Sequence, residues 1–177
     1  MGLQYKNLDE RTRTLMLAEI ERDIAERNLY ISENLNPKGQ TEYPDLIRDA
    51  ARSESDVTLA AAIQGRLNPY EKPRRLKSGE FSKPPVMRSN AHEMLAEGEF
   101  NRFYIRALCL RAIEDGIPEV IVYRAKAVQN ARSESERKIG QRLLVEALLR
   151  DLRMHPGVDT ALGLPPGPNS GLSVRLP

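Results

Sequence analysis

The sequence predicts a mostly helical α+β fold, with four or five helices and a small sheet of two or three strands. Apolar residues recur at helical spacing in several separate segments. Residues 90–125 combine one long helical segment, a glycine stop and a β-branched strand, and they hold two of the three Phe residues and the single Cys. The C-terminus alternates apolar and polar residues, which is typical of another strand. We therefore expect residues 90–125 to form the centre of the fold.

The first helix is predicted to begin near Asn7, because Asn7 can cap it and Glu10 completes a capping box three residues later. Its apolar stripe consists of Leu8, Leu15, Met16, Ile20 and Ile24. The composition of residues 36–39 predicts a turn, since Asn, Pro and Gly favour turns. A second helix is then predicted from Thr41, which can cap it, to Ala51.

Two further helices have clear stop signals. A short third helix is predicted over residues 56–64, because Gly65 can terminate it. The long helix is predicted to begin after Asn90, which can cap it, and to end at Asp115 before Gly116.

The remaining elements are a strand, a helix and a second strand. Val-Ile-Val-Tyr within residues 120–125 is rich in β-branched side chains and predicts a strand. Ser133 or Ser135 can cap a last helix that is predicted to continue to about Met154. Residues 171–176 predict a strand that pairs with the first one, because a lone strand leaves its backbone groups unpaired.

Residues 66–88 form a basic, proline-containing linker or arm. Seven basic and two acidic residues give this segment a charge of +5, and the whole chain is +2, so the rest of the chain is −3. Its four prolines exclude a continuous helix. We interpret it as an exposed loop, or as an arm that lies on a neighbouring subunit or on a polyanion. The expected organisation is one domain over residues 1–177, with this arm and a Pro/Gly-rich C-terminal arm over residues 157–177.

Composition excludes several classes of protein. The net charge is too small to indicate nucleic-acid binding by the protein as a whole. Cys109 has no partner for an intramolecular disulfide, which favours a reducing compartment. The N-terminus lacks a signal-peptide pattern and no window approaches 18 uninterrupted apolar residues. We expect a cytoplasmic protein, or one within a phage particle assembled in a cytoplasm, and no membrane partner.

A polar cluster on the long helix is the first candidate site. Glu99, Arg102 and Arg106 share one helical face, and two Arg one turn apart can grip a phosphate or carboxylate. The alternative is a structural ion-pair network in which Glu99 neutralises Arg102. Candidate interface or pocket residues are Glu99, Asn101, Tyr104 and Tyr123. Candidate contacts for an anion or nucleic acid are Arg74, Arg75, Lys77, Arg102, Arg106 and Arg124.

No catalytic motif stands out in the sequence. His92 and His155 are the only histidines and lack the compact spacing of a metal site. Cys109 lies between leucines in the most apolar helix and is interpreted as a buried structural thiol. Phosphate-binding glycine loops and a nucleophile elbow are both missing. We expect no cofactor, no metal and no catalytic residue.

Three functional hypotheses follow. The leading one is a non-enzymatic structural or interaction subunit of a larger bacterial or phage assembly, because compact helices joined to long arms create large contacts on docking. The second is a nucleic-acid-binding protein that uses the 66–88 arm with Arg102 and Arg106. The third is an enzyme acting on an anionic substrate in a pocket that unites Glu99, Arg102, Arg106 and Tyr123.

Overall fold

The computed structural model of the protein describes residues 2–128, 133–157 and 170–177. Within these ranges the chain forms six helices and one three-stranded antiparallel sheet, which confirms the predicted α+β fold. The elements are α1 (Glu10–Ala25), α2 (Pro37–Ser53), α3 (Asp56–Gln64), α4 (Ala91–Glu114), β1 (Glu119–Arg124), α5 (Ser133–Lys138), β2 (Arg142–Leu144), α6 (Val145–Met154) and β3 (Leu172–Arg175).

Helix α4 lies at the centre of the structure, and α1, α3, α6 and the sheet pack around it. Every residue from Glu99 to Cys109 is buried, which corresponds to about three helical turns without a solvent-exposed face. Its apolar side chains belong to the main hydrophobic core. A helix buried on all sides is normally apolar, but this stretch also carries Asn101, Arg102 and Arg106. Their polar groups therefore need partners inside the protein.

Helix α1 begins later than predicted. Asp9 is its N-cap and accepts a hydrogen bond from the Thr12 backbone N–H at 3.0 Å. Asn7, the predicted cap, instead accepts a hydrogen bond from the Leu176 backbone N–H at 3.1 Å. The prediction at Asn7 was wrong because a tertiary contact with the C-terminus occupies that side chain.

The predicted turn at residues 36–39 is the first turn of α2. Asn36 is the N-cap and accepts a hydrogen bond from the Gly39 backbone N–H at 2.8 Å. Pro37 occupies the first helical position, where its missing N–H has no intrahelical partner in any case. The same residue types favour turns and helix starts, so composition alone led to the wrong prediction.

The sheet has the strand order β2-β1-β3, with both pairs antiparallel. Val122 lies opposite Val174, so the predicted pairing of the two strands is confirmed. Strand β1 and helices α3 and α4 lie within one residue of their predicted bounds. No helix in the described ranges is both long and apolar enough to cross a membrane.

The predicted last helix is divided into α5, β2 and α6. Gly140 adopts a φ of +83°, which ends the first part, and its N–H donates to the Val122 carbonyl at 2.9 Å. Residues 142–144 then pair with β1. The single-helix prediction was wrong because this short apolar run also fits a strand, and an unpaired edge of β1 favours the strand.

Gly171 and Gly140 provide a matched test of the sheet edges. Both have positive φ, so alanine at either site loses about 1–2 kcal/mol of the free energy of unfolding. A Cβ at Gly171 would also lie 2.5 Å from the Lys126 carbonyl oxygen, whereas one at Gly140 meets nothing within 4 Å. We expect Gly171→Ala to be at least about 1 kcal/mol more destabilising than Gly140→Ala in urea denaturation. Equal losses would contradict the conclusion that the close approach of Gly171 to the Lys126 carbonyl excludes a side chain just before β3.

Candidate functional site

Residues 69–87 form an irregular antiparallel ribbon, here called the hairpin arm. Bridges join Tyr70 to Val86 and Arg75 to Phe81. Backbone hydrogen bonds link residues 71 and 85 at 2.8 Å and residues 76 and 80 at 2.7 Å, all in one common register. The tip turns at Gly79, whose φ of +89° is favourable for glycine.

Prolines keep the hairpin arm from becoming a regular sheet. Pro73 and Pro84 lie between its two hydrogen-bonded sections and have no backbone N–H to donate. At its base, the Asn68 backbone N–H donates to the Asn34 carbonyl at 2.8 Å, and the Asn68 side chain donates to the Leu35 carbonyl at 3.1 Å. The arm is therefore anchored where it leaves the helical core, and beyond that point its two strands are joined in two short hydrogen-bonded sections.

The outer part of the hairpin arm carries apolar side chains that the chain itself does not cover. Every residue from Lys72 to Phe81 is exposed. Phe81 is 70% exposed and Leu76 is 47% exposed, and Tyr70 and Val86 nearer the base are exposed as well. Clustered exposed apolar residues of this kind mark interaction surfaces.

The hairpin arm also carries positive charge. Lys72 pairs with Glu33 at 2.5 Å and Arg74 pairs with Glu71 at 3.4 Å. Three further basic side chains form no ion pair with any residue of the described ranges. These are Arg75, Lys77 and Lys83. The arm thus presents uncompensated cations beside exposed apolar groups, with Arg75 directly opposite Phe81.

The buried arginine Arg106 lies in an ion-pair cluster, here called the Arg106 cluster. Its guanidinium is 1% exposed and donates to Asp23 at 2.6 and 2.8 Å and to Glu19 at 2.6 Å. Arg153 of α6 donates to the same Glu19 carboxylate. Burial alone would raise the pKa of Glu19, but the hydrogen bond from Arg153 and the charge of Arg106 lower it below its usual value. The cluster joins α1, α4 and α6.

Other polar residues of α4 hold chain segments together. Arg102 pairs with Glu99 at 2.9 Å and donates to the His155 carbonyl at 3.4 Å. The Asn101 amide donates to the Leu172 carbonyl at 2.9 Å and accepts from the Ser173 hydroxyl at 2.6 Å. These contacts tie α4 to the end of α6 and to β3.

The remaining candidate residues bind the N-terminus and the last segment. The Tyr104 hydroxyl accepts from the Asn7 backbone N–H at 3.1 Å, and the Tyr123 hydroxyl donates to the Gln4 carbonyl at 2.6 Å. Arg124 donates to the Ser170 carbonyl at 2.8 Å and pairs with Glu136 at 2.6 Å.

The structure separates the predicted site residues into two groups. Arg74, Arg75 and Lys77 are exposed on the hairpin arm. Arg102 and Arg106 are each 1% exposed, so a ligand in solution does not reach them in this conformation. The four residues of the hypothetical anionic-substrate pocket divide among three clusters: Glu99 with Arg102, Arg106 with α1, and Tyr123 with the N-terminal segment.

A second surface feature was not identified from the sequence. A groove of about 500 Å³, here called the helix-end groove, lies where β2 and the start of α6 pass the C-terminal end of α4. Its lining includes Ile113, Ile117, Pro118, Leu144, Val145 and Glu146. Leu144 is 60% exposed and Ile113 is 42% exposed. Leu144 of its lining belongs to β2, and the sequence predicted this segment as helix.

Metal and thiol chemistry have little support in the part of the chain that the structure describes. No group of three or more His, Cys, Asp or Glu residues there is placed to hold a metal ion. Cys109 is fully buried, and burial raises the pKa of its thiol to about 12, so the reactive thiolate is scarce at neutral pH.

Comparisons with protein-family models, with curated proteins and with solved structures found no match to this chain.

Substitution of Arg106 tests the Arg106 cluster. Arg106→Met leaves the buried Asp23 without its ion-pair partner and leaves the buried Glu19 with Arg153 alone, and we expect a loss of about 3–5 kcal/mol in the free energy of unfolding. Arg48→Met is the matched control, because Arg48 also joins a neighbouring helix to α1, through Glu21 at 2.6 Å, but Glu21 is exposed. The control loss is expected below about 1 kcal/mol. Both losses are measured by urea denaturation. Similar losses for the two variants would contradict the conclusion that the Arg106 cluster is a buried ion-pair network on which the fold depends.

The lowered pKa of Glu19 predicts a specific pH dependence. Glu19 contributes stability that is fully present above its unfolded pKa of about 4.3 and is lost as pH falls through the lower folded pKa. We therefore expect Glu19→Gln to flatten the decrease in the free energy of unfolding between about pH 5 and pH 2. Glu26→Gln removes an exposed carboxylate from the end of the same helix and is the control. A flattening no larger than that of the control would refute the prediction.

Proposed function

We propose that this protein is a non-enzymatic structural or interaction subunit of a larger bacterial or phage assembly. It contacts neighbouring proteins through the hairpin arm. It functions in a cytoplasm, or within a phage particle assembled in one. The class of neighbour is protein rather than membrane, since the exposed side chains are a small set of anchors and not a continuous apolar helix face.

One observation carries the proposal: the outer hairpin arm, residues 72–81, is exposed throughout yet contains Leu76 and Phe81. Exposed aromatic residues and arginines are the side chains that contribute most to protein–protein binding. Arg75 and Phe81 lie side by side on the two strands of the ribbon. An anchor of this kind is stabilised when a partner removes its apolar surface from water, at about 25 cal/mol per Å².

The internal contacts of the chain support a non-enzymatic role. The arginines of α4 that resembled an anion site are engaged with carboxylates of the same chain. Of the described end of the C-terminal arm, residues 172–175 form β3 and pair with β1. Residues 158–169 of the predicted C-terminal arm lie outside the described residues. Among the segments that the structure does describe, the hairpin arm is the extended one whose side chains are left for a neighbour.

A nucleic-acid-binding role is the second candidate, and the charge of the arm favours it. Arg75, Lys77 and Lys83 have no ion-pair partner in the described ranges and can contact phosphates without sequence preference. Two exposed aromatic residues, Tyr70 and Phe81, are few for stacking bases. We regard the protein partner as the better explanation because phosphate contact leaves Leu76 and Phe81 exposed.

Site-specific photo-cross-linking tests the proposal. A benzoylphenylalanine at position 81, introduced in the organism that carries the gene, should form a protein adduct of defined mass. The same probe at Met154, an exposed residue outside the arm, is the control. We expect the adduct at position 81 to be at least fivefold more abundant than the adduct at position 154. A nuclease-sensitive adduct would support the nucleic-acid role instead, and no adduct above the control would overturn both.

A further inference from the structure

The hairpin arm has two faces of different composition. Its bridges and hydrogen bonds keep one antiparallel register from base to tip. Successive side chains of a strand point to opposite faces, and directly opposed residues lie on the same face. Phe81 lies directly opposite Arg75, and Lys83 follows Phe81 by two positions. These three residues therefore share one face, here called the Phe81 face.

The Phe81 face is exposed and basic. Phe81 is 70% exposed, and Arg75 and Lys83 are exposed as well. Neither cation forms an ion pair with any residue of the described ranges. Lys77 at the tip adds a third positive charge that no described residue compensates. The aromatic ring is thus flanked by cations whose counter-charges are not supplied by the described part of the chain.

The acidic residues of the 66–88 segment do not neutralise this face. Glu80 is paired with Leu76 in the register of the arm, so it lies on the opposite face. Glu71 lies at the base of the arm, where it pairs with Arg88 at 2.7 Å and with Arg74 at 3.4 Å. The outer part of the Phe81 face therefore carries positive charge alone.

The spacing of the three side chains restricts what can cover the ring. Opposed Cα atoms of an antiparallel ribbon are about 4.5–5.5 Å apart, and positions two residues apart in one strand are separated by about 7 Å. A surface that removes Phe81 from water therefore also covers part of Arg75 and Lys83. Burial of a charge is unfavourable unless an opposite charge meets it. An apolar surface alone is a poor partner, whereas carboxylates beside an apolar pocket match all three groups.

The phosphates of a nucleic acid match the charges of this face but not its ring. Proteins that bind single strands stack successive bases on several aromatic side chains. Tyr70, the other aromatic residue of the arm, is paired with Val86 and lies on the opposite face. Phe81 therefore has no second aromatic residue beside it on its own face, which favours an apolar pocket in a protein.

We propose that the Phe81 face docks on an acidic protein surface, in which carboxylates for Arg75 and Lys83 flank an apolar pocket for the Phe81 ring. This inference rests on the proposed function and specifies the chemistry of the partner. The charge-assisted contacts set the orientation of the arm, and the ring supplies the apolar anchor. The positive charge of Lys77 also accelerates the encounter with such a surface.

Charge reversal tests whether the partner is acidic. Photo-cross-linking from position 81 is repeated in the organism that carries the gene. The double substitution Arg75→Glu and Lys83→Glu should reduce the protein adduct at least tenfold, because like charges then meet across the contact. The matched control, Lys38→Glu with Arg52→Glu, reverses two exposed cations on α2 and should keep the adduct within about twofold of its original abundance. Urea denaturation verifies that both variants fold.

A zero-length cross-linker identifies the carboxylate directly. A carbodiimide joins an amine to a carboxylate only where the two are in contact. It should therefore link Lys83 to an Asp or Glu of the same protein that the probe at position 81 captures, as mapped by mass spectrometry. Lys83→Arg keeps the positive charge and lacks the amine. This variant should lose the carbodiimide link and retain the photo-adduct.

The failure of this inference is distinguishable from the failure of the proposed function. A protein adduct that is as abundant after reversal of Arg75 and Lys83 as in the control would overturn the inference and leave the proposed function intact. A captured protein to which the carbodiimide does not link Lys83 would have the same meaning. A nuclease-sensitive adduct would overturn both in favour of the nucleic-acid role. No adduct above that at position 154 would remove both.

Discussion

The positive charge of Arg106, buried in the middle of α4, constrains how the helices can be arranged. A buried guanidinium is tolerated only where carboxylates meet it with good geometry, and both of its partners lie on α1. Glu19 extends the constraint to α6 through Arg153. This one set of charged hydrogen bonds thereby specifies how α1, α4 and α6 are rotated, and how far they are shifted along their axes, relative to one another. An apolar core of the same volume would allow more alternative packings.

The two chain ends and the sheet depend on the orientation of α4 that this cluster sets. Asn101 lies on α4 between Glu99 and Arg102, and its amide binds β3. The last strand is therefore positioned by a side chain of the central helix. The N-terminal segment then lies against the same region, where the Gln4 backbone N–H donates to the Ala125 carbonyl at 2.8 Å. Segments far apart in the sequence are thus held around one buried helix.

The fold was largely predictable from the sequence, and the errors have physical causes. Helices α3 and α4 and the pairing of β1 with β3 were predictable because glycine stops and β-branched runs are strong local signals. The division of the last helix was not, since a strand of three residues is selected by an open sheet edge and not by its own sequence. The helix-end groove depends on that strand, so it could not be predicted either. For Arg102 and Arg106, helical spacing showed that they share a face but not that α1 and α6 cover it.

The prolines of the hairpin arm affect how the protein avoids aggregation. Exposed ribbons with apolar side chains ordinarily invite further strands to add to their free edges. Pro73 and Pro84 interrupt the ladder of the arm and remove N–H donors from its edges, so an incoming strand finds no continuous row of backbone partners. Contacts of the arm must therefore be formed by side chains. This restricts the arm to partners whose surface matches a few specific groups and protects it from unspecific fibril growth.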